Sequence, residues 1–455
     1  MKSRVYYVIC MLVLVALIGA CSPAAPAQDA ATQVAPEATA VESSDAETET
    51  TPVEEPAAAE SSEPVTITWW VPNWDEEVAT VLIDEFEAQY PNIKVEVVIT
   101  TWDTMEGQIR TALNGNNAPD VITDLESRVA SYASQGLLAN LDSYYTASNV
   151  DMDDFFTSAI DLATYDGSLY AMPMRHDGPA MIYNKDMFEE AGLDPDAFPA
   201  TWDELNEVAK LLTKDTDGDG TIDQYGIGWP LGNEGNAVVR FYQMAYNFGG
   251  SITNEEGTQC ELNSEAGKQA MEYLNNNLNV DEVTPHSALE VDNTGLRNLF
   301  INKKIAIYSN GAFDIPEIQS QAPDINIGTA TYPGNGDGIG LTIVNGFSLY
   351  IPENAKNKDA AWELLNFIGL PENSGRLTTT FPARRSAMSL EKFSEPLFQP
   401  FIEQMDSGRA GPTFVNWPSM QTAIFAEMQE VMINGKDVDQ ALNDMCAEVD
   451  QLLAQ

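Results

Sequence analysis

Hydrophobic and polar positions divide the chain into an apolar start, a long unpatterned stretch and a body of alternating strand-like and helix-like periods. Val5–Ile18 is one apolar run, and residues 22–64 are almost entirely Ala, Pro, Glu, Thr, Ser and Gln. At Val65 the pattern changes. Val65–Val71 is apolar and β-rich and ends in Pro72-Asn73-Trp74. Asp75 opens a helical stretch with Val78, Leu82, Phe86 and Tyr90 on one face, broken by Pro91-Asn92. Ile93–Ile99 alternates as a strand ending at Thr101-Trp102, and a helix is predicted from Asp103 to Asn114. Pro119-Asp120-Val121-Ile122 reads as a third short strand, followed by a helix around Ser127–Gln135. Such a rhythm predicts a parallel sheet with helices on its faces. Ligands of such sheets gather outside the carboxyl ends of the strands. Those ends carry Asn73, Trp74, Trp102, Asp124 and Glu126.

A second α/β series follows. Asp166-Gly167 is a turn, and Pro173–Pro179 is a polar, breaker-flanked connection holding His176 and Asp177. Strands are predicted at Ala180–Tyr183, Tyr225–Trp229, Ile305–Ser309 and Phe347–Ile351. Helices are predicted at Lys185–Ala191, Asp203–Leu212, Asn236–Phe248, Ser264–Leu278, Thr294–Asn302 and Asp359–Ile368, with two long ones at Ser419–Ile433 and Val438–Leu453.

Composition adds the compartment. Lys2 and Arg4, the short apolar run and Gly19-Ala20 before Cys21 have the form of a secretory signal, residues 1–20. Gly19-Ala20-Cys21 also resembles the bacterial lipobox, which implies cleavage before Cys21 and lipidation of its thiol. Two or three acyl chains anchor a protein stably, so an exported protein on the outer face of the cell membrane is expected. Residues 21–64, with ten acidic residues and no Lys or Arg, are expected to form a disordered stalk. The whole chain carries a net charge of −48. That balance opposes nucleic acid, whose affinity comes from Lys and Arg on phosphates, and anionic lipid surfaces.

The cysteine and acidic patterns raise two structural questions. Cys10 leaves with the signal, and Cys260 and Cys446 remain in an oxidising compartment. A disulfide and two separate buried thiols both fit, because spacing does not set the distance between the Cα atoms. Asp215-Thr216-Asp217-Gly218-Asp219-Gly220-Thr221-Ile222-Asp223 matches the oxygen cage of a calcium loop, with Asp215, Asp217, Asp219, Thr221 and Asp223 as ligands. Gly226 stands where an EF-hand has its bidentate Glu, so a structural Ca2+ and a plain acidic turn both remain open.

Several segments, in order, carry a resemblance. They are Pro119–Ile122 with Gln135-Gly136-Leu137-Leu138, Tyr170-Ala171-Met172-Pro173 with Ile182–Asp186, and Thr201–Leu205. Asn310-Gly311-Ala312-Phe313, Ala360–Leu365, Phe381-Pro382-Ala383-Arg384 and the helix Asp439–Leu442 complete the set. Together they resemble the extracellular solute-binding proteins of carbohydrate ABC importers, of the maltose-binding-protein type. The resemblance implies a periplasmic-binding-protein type II fold: two α/β lobes, three chain crossings and hinge closure on a ligand. It also implies delivery to ABC permease subunits by a monomer that is not an enzyme and requires no cofactor. The expected partition is 65–175 and 343–390 in lobe 1, and 176–342 and 391–455 in lobe 2.

Matching motifs place Asn73, Trp74, Asp75, Asp124, Glu126 and Asp177 in the ligand cleft, with Phe313 where the maltose protein stacks a tryptophan. Asp124 and Ile424 replace other stacking tryptophans, so maltodextrin specificity does not follow. Carboxylates suit sugar hydroxyls, aromatic rings suit C–H faces, and Asn, His and Arg supply donors. On those grounds Trp102, Trp229 and Trp417 join Trp74 as aromatic candidates, and His176, Asn310, Asn345 and Arg385 join as polar ones. Two other functions fit the sequence: a secreted glycoside hydrolase using two cleft carboxylates, and a polysaccharide-binding adhesin.

Overall fold

The computed structural model describes residues 64–454 apart from Asn116, Asp337 and Thr379. The signal, Cys21 and almost all of the stalk therefore lie outside the described residues. The described residues fall in one compact unit. Its strands are β1 (Val65–Pro72), β2 (Ile93–Thr100), β3 (Val121–Leu125), β4 (Thr164–Tyr165), β5 (Ser168–Leu169) and β6 (Ala171–Asp177). They continue with β7 (Ala180–Asn184), β8 (Tyr225–Gly228), β9 (Ile305–Asn310), β10 (Ile327–Ala330), β11 (Ile343–Tyr350) and β12 (Arg409–Ala410).

The first sheet runs β12-β11-β3-β1-β2, with β6 also paired to β11. β1 pairs in parallel with both β2 and β3, as the alternating pattern predicts. Ile67, Trp69 and Val71 alternate inward along β1, and the helix Glu76–Gln89 buries Ala79, Leu82, Ile83 and Phe86. The second sheet runs β10-β7-β9-β8. One of its faces meets the helices around Trp202, Phe241, Met271 and Leu442; the other packs toward Phe300, Ile315 and Ile318.

β6 departs from the sequence expectation. Residues 173–179 have the composition of a polar connection, yet Ala171–Asp177 is a strand antiparallel to β11. The ladder shifts register between Phe347 and Ser348, where Arg175 and Pro173 face them and Met174 is skipped. A bulge of this kind tolerates a proline that cannot donate to the ladder. β6 and β11 are also where the chain passes between the sheets: Asp177 leads through Gly178-Pro179 into β7, and Thr342 leads into β11. Within 391–455, expected in lobe 2, β12 pairs with the start of β11 in the first sheet.

Candidate functional site

β1 runs directly into Asn73-Trp74-Asp75, a single tight turn ahead of a helix. Asn73 is exposed and Trp74 half-buried. Asp75 is buried, and both its carboxylate oxygens accept from Arg175 Nη2, at 2.6 and 2.8 Å. The Arg175 guanidinium lies over the Phe347 ring, 5.0 Å from its centre. Phe347 meets Trp74 edge-on at 5.7 Å, and Trp74 meets Trp102 at 6.3 Å. Trp102 is 58% exposed, so this aromatic wall opens progressively toward solvent. Trp74 Nε1 and Arg175 Nε are buried donors with no partner among the described residues.

Behind the wall sits a polar layer. His176 Nδ1 lies 2.9 Å from Glu126 Oε2, its Nε2 lies 2.8 Å from Ser158 Oγ, and Ser348 donates to Glu126 at 3.4 Å. A serine, a histidine and a carboxylate in this order resemble a nucleophile relay. Here, however, His176 and Glu126 are sealed from solvent and Phe156 stacks on the imidazole at 6.0 Å. The set ties the turn after β3, strands β6 and β11 and the helix Thr157–Ala163 together. Burial pushes the Glu126 carboxyl up, with His176 opposing. Asp124 is likewise sealed, bonded to Arg128 at 2.6 Å and Tyr132 at 3.4 Å, and burial pushes its carboxyl up to about 6.

Asp177 ends β6 at the crossing, half-buried, opposite Asn345 of β11. Its carboxyl accepts from the Thr380 hydroxyl, and burial raises it. In the second lobe, Asn310 ends β9 opposite Ala180, three residues beyond Asp177. Asp314 accepts from Asn310 Nδ2 at 2.6 Å, Tyr308 Oη at 2.7 Å and Arg297 Nη1 at 2.8 Å. Phe313, just before it, is 38% exposed. The exposed Arg385 lies over Phe156 at 4.3 Å, while its neighbour Arg384 is buried and donates to the Gly369 carbonyl.

Several expected ligand contacts are corrected. Trp229 lies in the lobe 2 core, fully buried, its Nε1 donating to Asn277 at 3.0 Å. Trp417 packs edge-on against Tyr242 at 5.7 Å in the same core. Both follow breakers, but helices close over them. Asp75, Asp124, Glu126, His176 and Asn310 gather near the strand ends, yet each is buried with its polar atoms engaged within the protein. Asn73, Trp74, Trp102, Asp177, Phe313, Asn345 and Arg385 retain accessible or half-buried side chains at the strand ends and crossings. Sequence reasoning missed Arg175, Phe347, Arg297 and Asp314. The alternation of Met172, Met174 and His176 around Pro173 was the signal for β6, and hence for Arg175.

The other two candidate groups lie away from this wall. Cys260 and Cys446 are bonded, at 2.04 Å, between the segment before the helix Glu265–Asn279 and the C-terminal helix. Asp215, Asp217 and Asp223 each offer a carboxylate oxygen within 4.8 Å of the others. Asp215 also accepts from the Gly218 and Gly220 amides, each at 2.7 Å, and Asp219 from the Thr221 amide at 2.8 Å. Among the described residues no helix is long and apolar enough to cross a membrane.

Comparison with known proteins agrees with this architecture. A binding protein of Brucella abortus is 25% identical over 380 residues, 81% of this chain and 88% of that protein. The maltotriose-binding protein of Pyrococcus abyssi is 25% identical over 63% of this chain and 58% of its own length. The structure of the sugar-binding protein MalE from Xanthomonas citri superposes with a TM-score of 0.75 at 25% identity, covering 86% of this chain and 98% of that one. Residues 72–374 match the family described as bacterial extracellular solute-binding protein, and with two sheets joined by paired crossing strands and a polar-aromatic wall beside them, the chain belongs to that family.

Proposed function

We propose that the protein captures a carbohydrate outside the cell by hinge closure and passes it to an ABC-type permease without a catalytic step. The observation that carries this reading is the wall of Trp74, Trp102 and Phe347 beside the crossing strands. Aromatic faces cover the C–H side of a sugar. The sugar ligands named for the relatives from Pyrococcus and Xanthomonas support the same class. Hydrolysis wants two available carboxyls flanking one bond, whereas Asp75, Asp124 and Glu126 are committed to Arg175, Arg128 and His176. The test is a thermal-shift screen against a carbohydrate panel, followed by incubation with each binder and analysis for products. Stabilisation with no product supports the reading. Product formation, or no stabilisation by any sugar, overturns it.

The same reading includes a lipid on Cys21 as the membrane attachment, a monomeric body, and a structural Ca2+ in the Asp215–Asp223 loop. Loss of Cys21 by Cys21→Ala is expected to release the protein from membranes. A cation that binds only the folded state stabilises it by mass action, so chelation is expected to lower Tm. Asp217→Ala is expected to remove that dependence. A Tm indifferent to chelator and to added calcium would leave the loop a solvated acidic turn.

A further inference from the structure

Two loops, one in each lobe, are built alike. β1 is followed by the turn Asn73-Trp74-Asp75 and then a helix; β9 ends in Asn310, and Gly311-Ala312-Phe313 leads into the helix Asp314–Gln321. Each loop sets an aromatic residue directly before an aspartate. The aromatic is the accessible member, and the aspartate is sealed, at 1% exposure for Asp75 and 0% for Asp314. Each carboxylate is held by an arginine from a different element, Arg175 on β6 and Arg297 on the helix Asn293–Ile301. Nothing in the spacing of the two segments announces this likeness; it emerges only from the partners.

A buried carboxylate with its oxygens engaged offers nothing to a ligand, but it fixes its own backbone firmly. Charge-assisted contacts to arginine are short and directional, and removing one partner of a buried pair is costly. The backbone so fixed is the peptide that carries the preceding ring. Phe313 is constrained a second way: a Cβ on Gly311 would come within 2.4 Å of its ring, so the ring lies against the Gly311 backbone. Side chains already held in their bound arrangement lose less freedom on binding.

We propose that Asp75 and Asp314 are positioning residues, each acting with its arginine to hold the aromatic side chain before it, so that both lobes present preset rings to the ligand. The inference rests on the reading of this cleft as the ligand site, but its first test needs no ligand. The intact protein is labelled with fluorotryptophan, and the Trp74 line in the fluorine NMR spectrum is assigned from Trp74→Phe. Asp75→Asn is expected to shift and broaden that line, and Asp314→Asn to leave it in place. With fluorophenylalanine, and Phe313→Leu for assignment, the converse is expected. Arg175→Lys, which keeps charge but loses the paired geometry, is expected to reproduce the Asp75→Asn spectrum. Unmoved lines in folded variants, judged by Tm, overturn the proposal.

Calorimetry with maltotriose as the probe gives the second test. Asp75→Asn and Trp74→Ala are each expected to weaken binding about tenfold, and the double variant no more than Trp74→Ala alone, because Asp75 acts through Trp74. Additive losses, or lost affinity with an unmoved Trp74 line, make Asp75 a direct ligand contact and overturn the proposal. Should neither maltotriose nor any panel sugar bind the wild-type protein, the cleft reading fails while the fluorine lines still decide the positioning role.

Discussion

Asp177 is half-buried where β6 leaves the first lobe, and its carboxyl accepts from the Thr380 hydroxyl. Losing a charged hydrogen bond to a ligand is worth roughly 1.5–3 kcal/mol. Asp177→Ala is therefore expected to weaken sugar binding by that amount in calorimetry while moving Tm little; unchanged affinity would remove Asp177 from the site. Asp124 behaves differently. Burial pushes its carboxyl up to about 6, Arg128 offsetting only part of the cost. Folded Asp124 thus binds its proton more tightly than the unfolded chain, whose value is near 4. Its contribution to stability is present below about pH 4 and is lost as pH rises through about 6. Asp124→Asn is expected to flatten that stretch of the Tm–pH curve, and an unchanged slope would mean that Arg128 keeps the carboxylate ionised throughout. Single residues were unevenly legible. Trp74 and Trp102 stand at strand ends beside breakers, and so does Trp229, just past β8. What separates them is the packing of Trp202 and Tyr273 over Trp229, a long-range fact that spacing along the chain does not carry.

At the scale of elements, periodicity located the strands and helices with regular alternation and missed those held by tertiary pairing. The bounds of β1, β2 and the helix Val438–Leu453 lie within a residue of those expected. β6 does not, because Pro173, His176 and Asp177 break the composition of a strand while β11 supplies the ladder and the bulge that admit them. β12, two residues long, carries too little sequence to be read at all. The disulfide was likewise open from spacing, since 186 residues separate Cys260 from Cys446. A crosslink over so long a loop restricts the unfolded chain by about 5 kcal/mol in the loop-entropy description. Reduction, or Cys446→Ser, is expected to lower Tm by several degrees in calorimetry. An identical Tm with and without reductant would show that the C-terminal helix is held by its other contacts, among them the Cys260 amide on Asp450 at 2.6 Å.

At the scale of the whole molecule, closure is the testable behaviour. A ligand favours whichever form it binds better, by its differential affinity. X-ray scattering with and without the best panel sugar is expected to show contraction of the body, and a bound sugar with no contraction would argue for an open groove of the adhesin kind. Two of the crossings that must turn are not independent. Asp177 on β6 faces Asn345 on β11 in one ladder, and a Cβ on Gly346 would come within 1.8 Å of the Arg175 carbonyl, so the strands touch there backbone to backbone. Gly346→Ala is expected to pry them apart, lowering Tm and blunting the contraction; a variant that contracts like the wild type would show slack in that contact. The strands are therefore expected to twist as one ribbon, a torsion bar with the load set almost on the fulcrum. On the proposed reading, the residues that grip the ligand and those that swing the lobes share adjacent rungs, Asp177 and Asn345 beside His176 and Gly346. On that reading a misfit of a fraction of an ångström at Asp177 is expected to be geared up into a far larger sweep at the rim of the opposite lobe, so that a wrong guest is turned away by leverage as much as by weak contact.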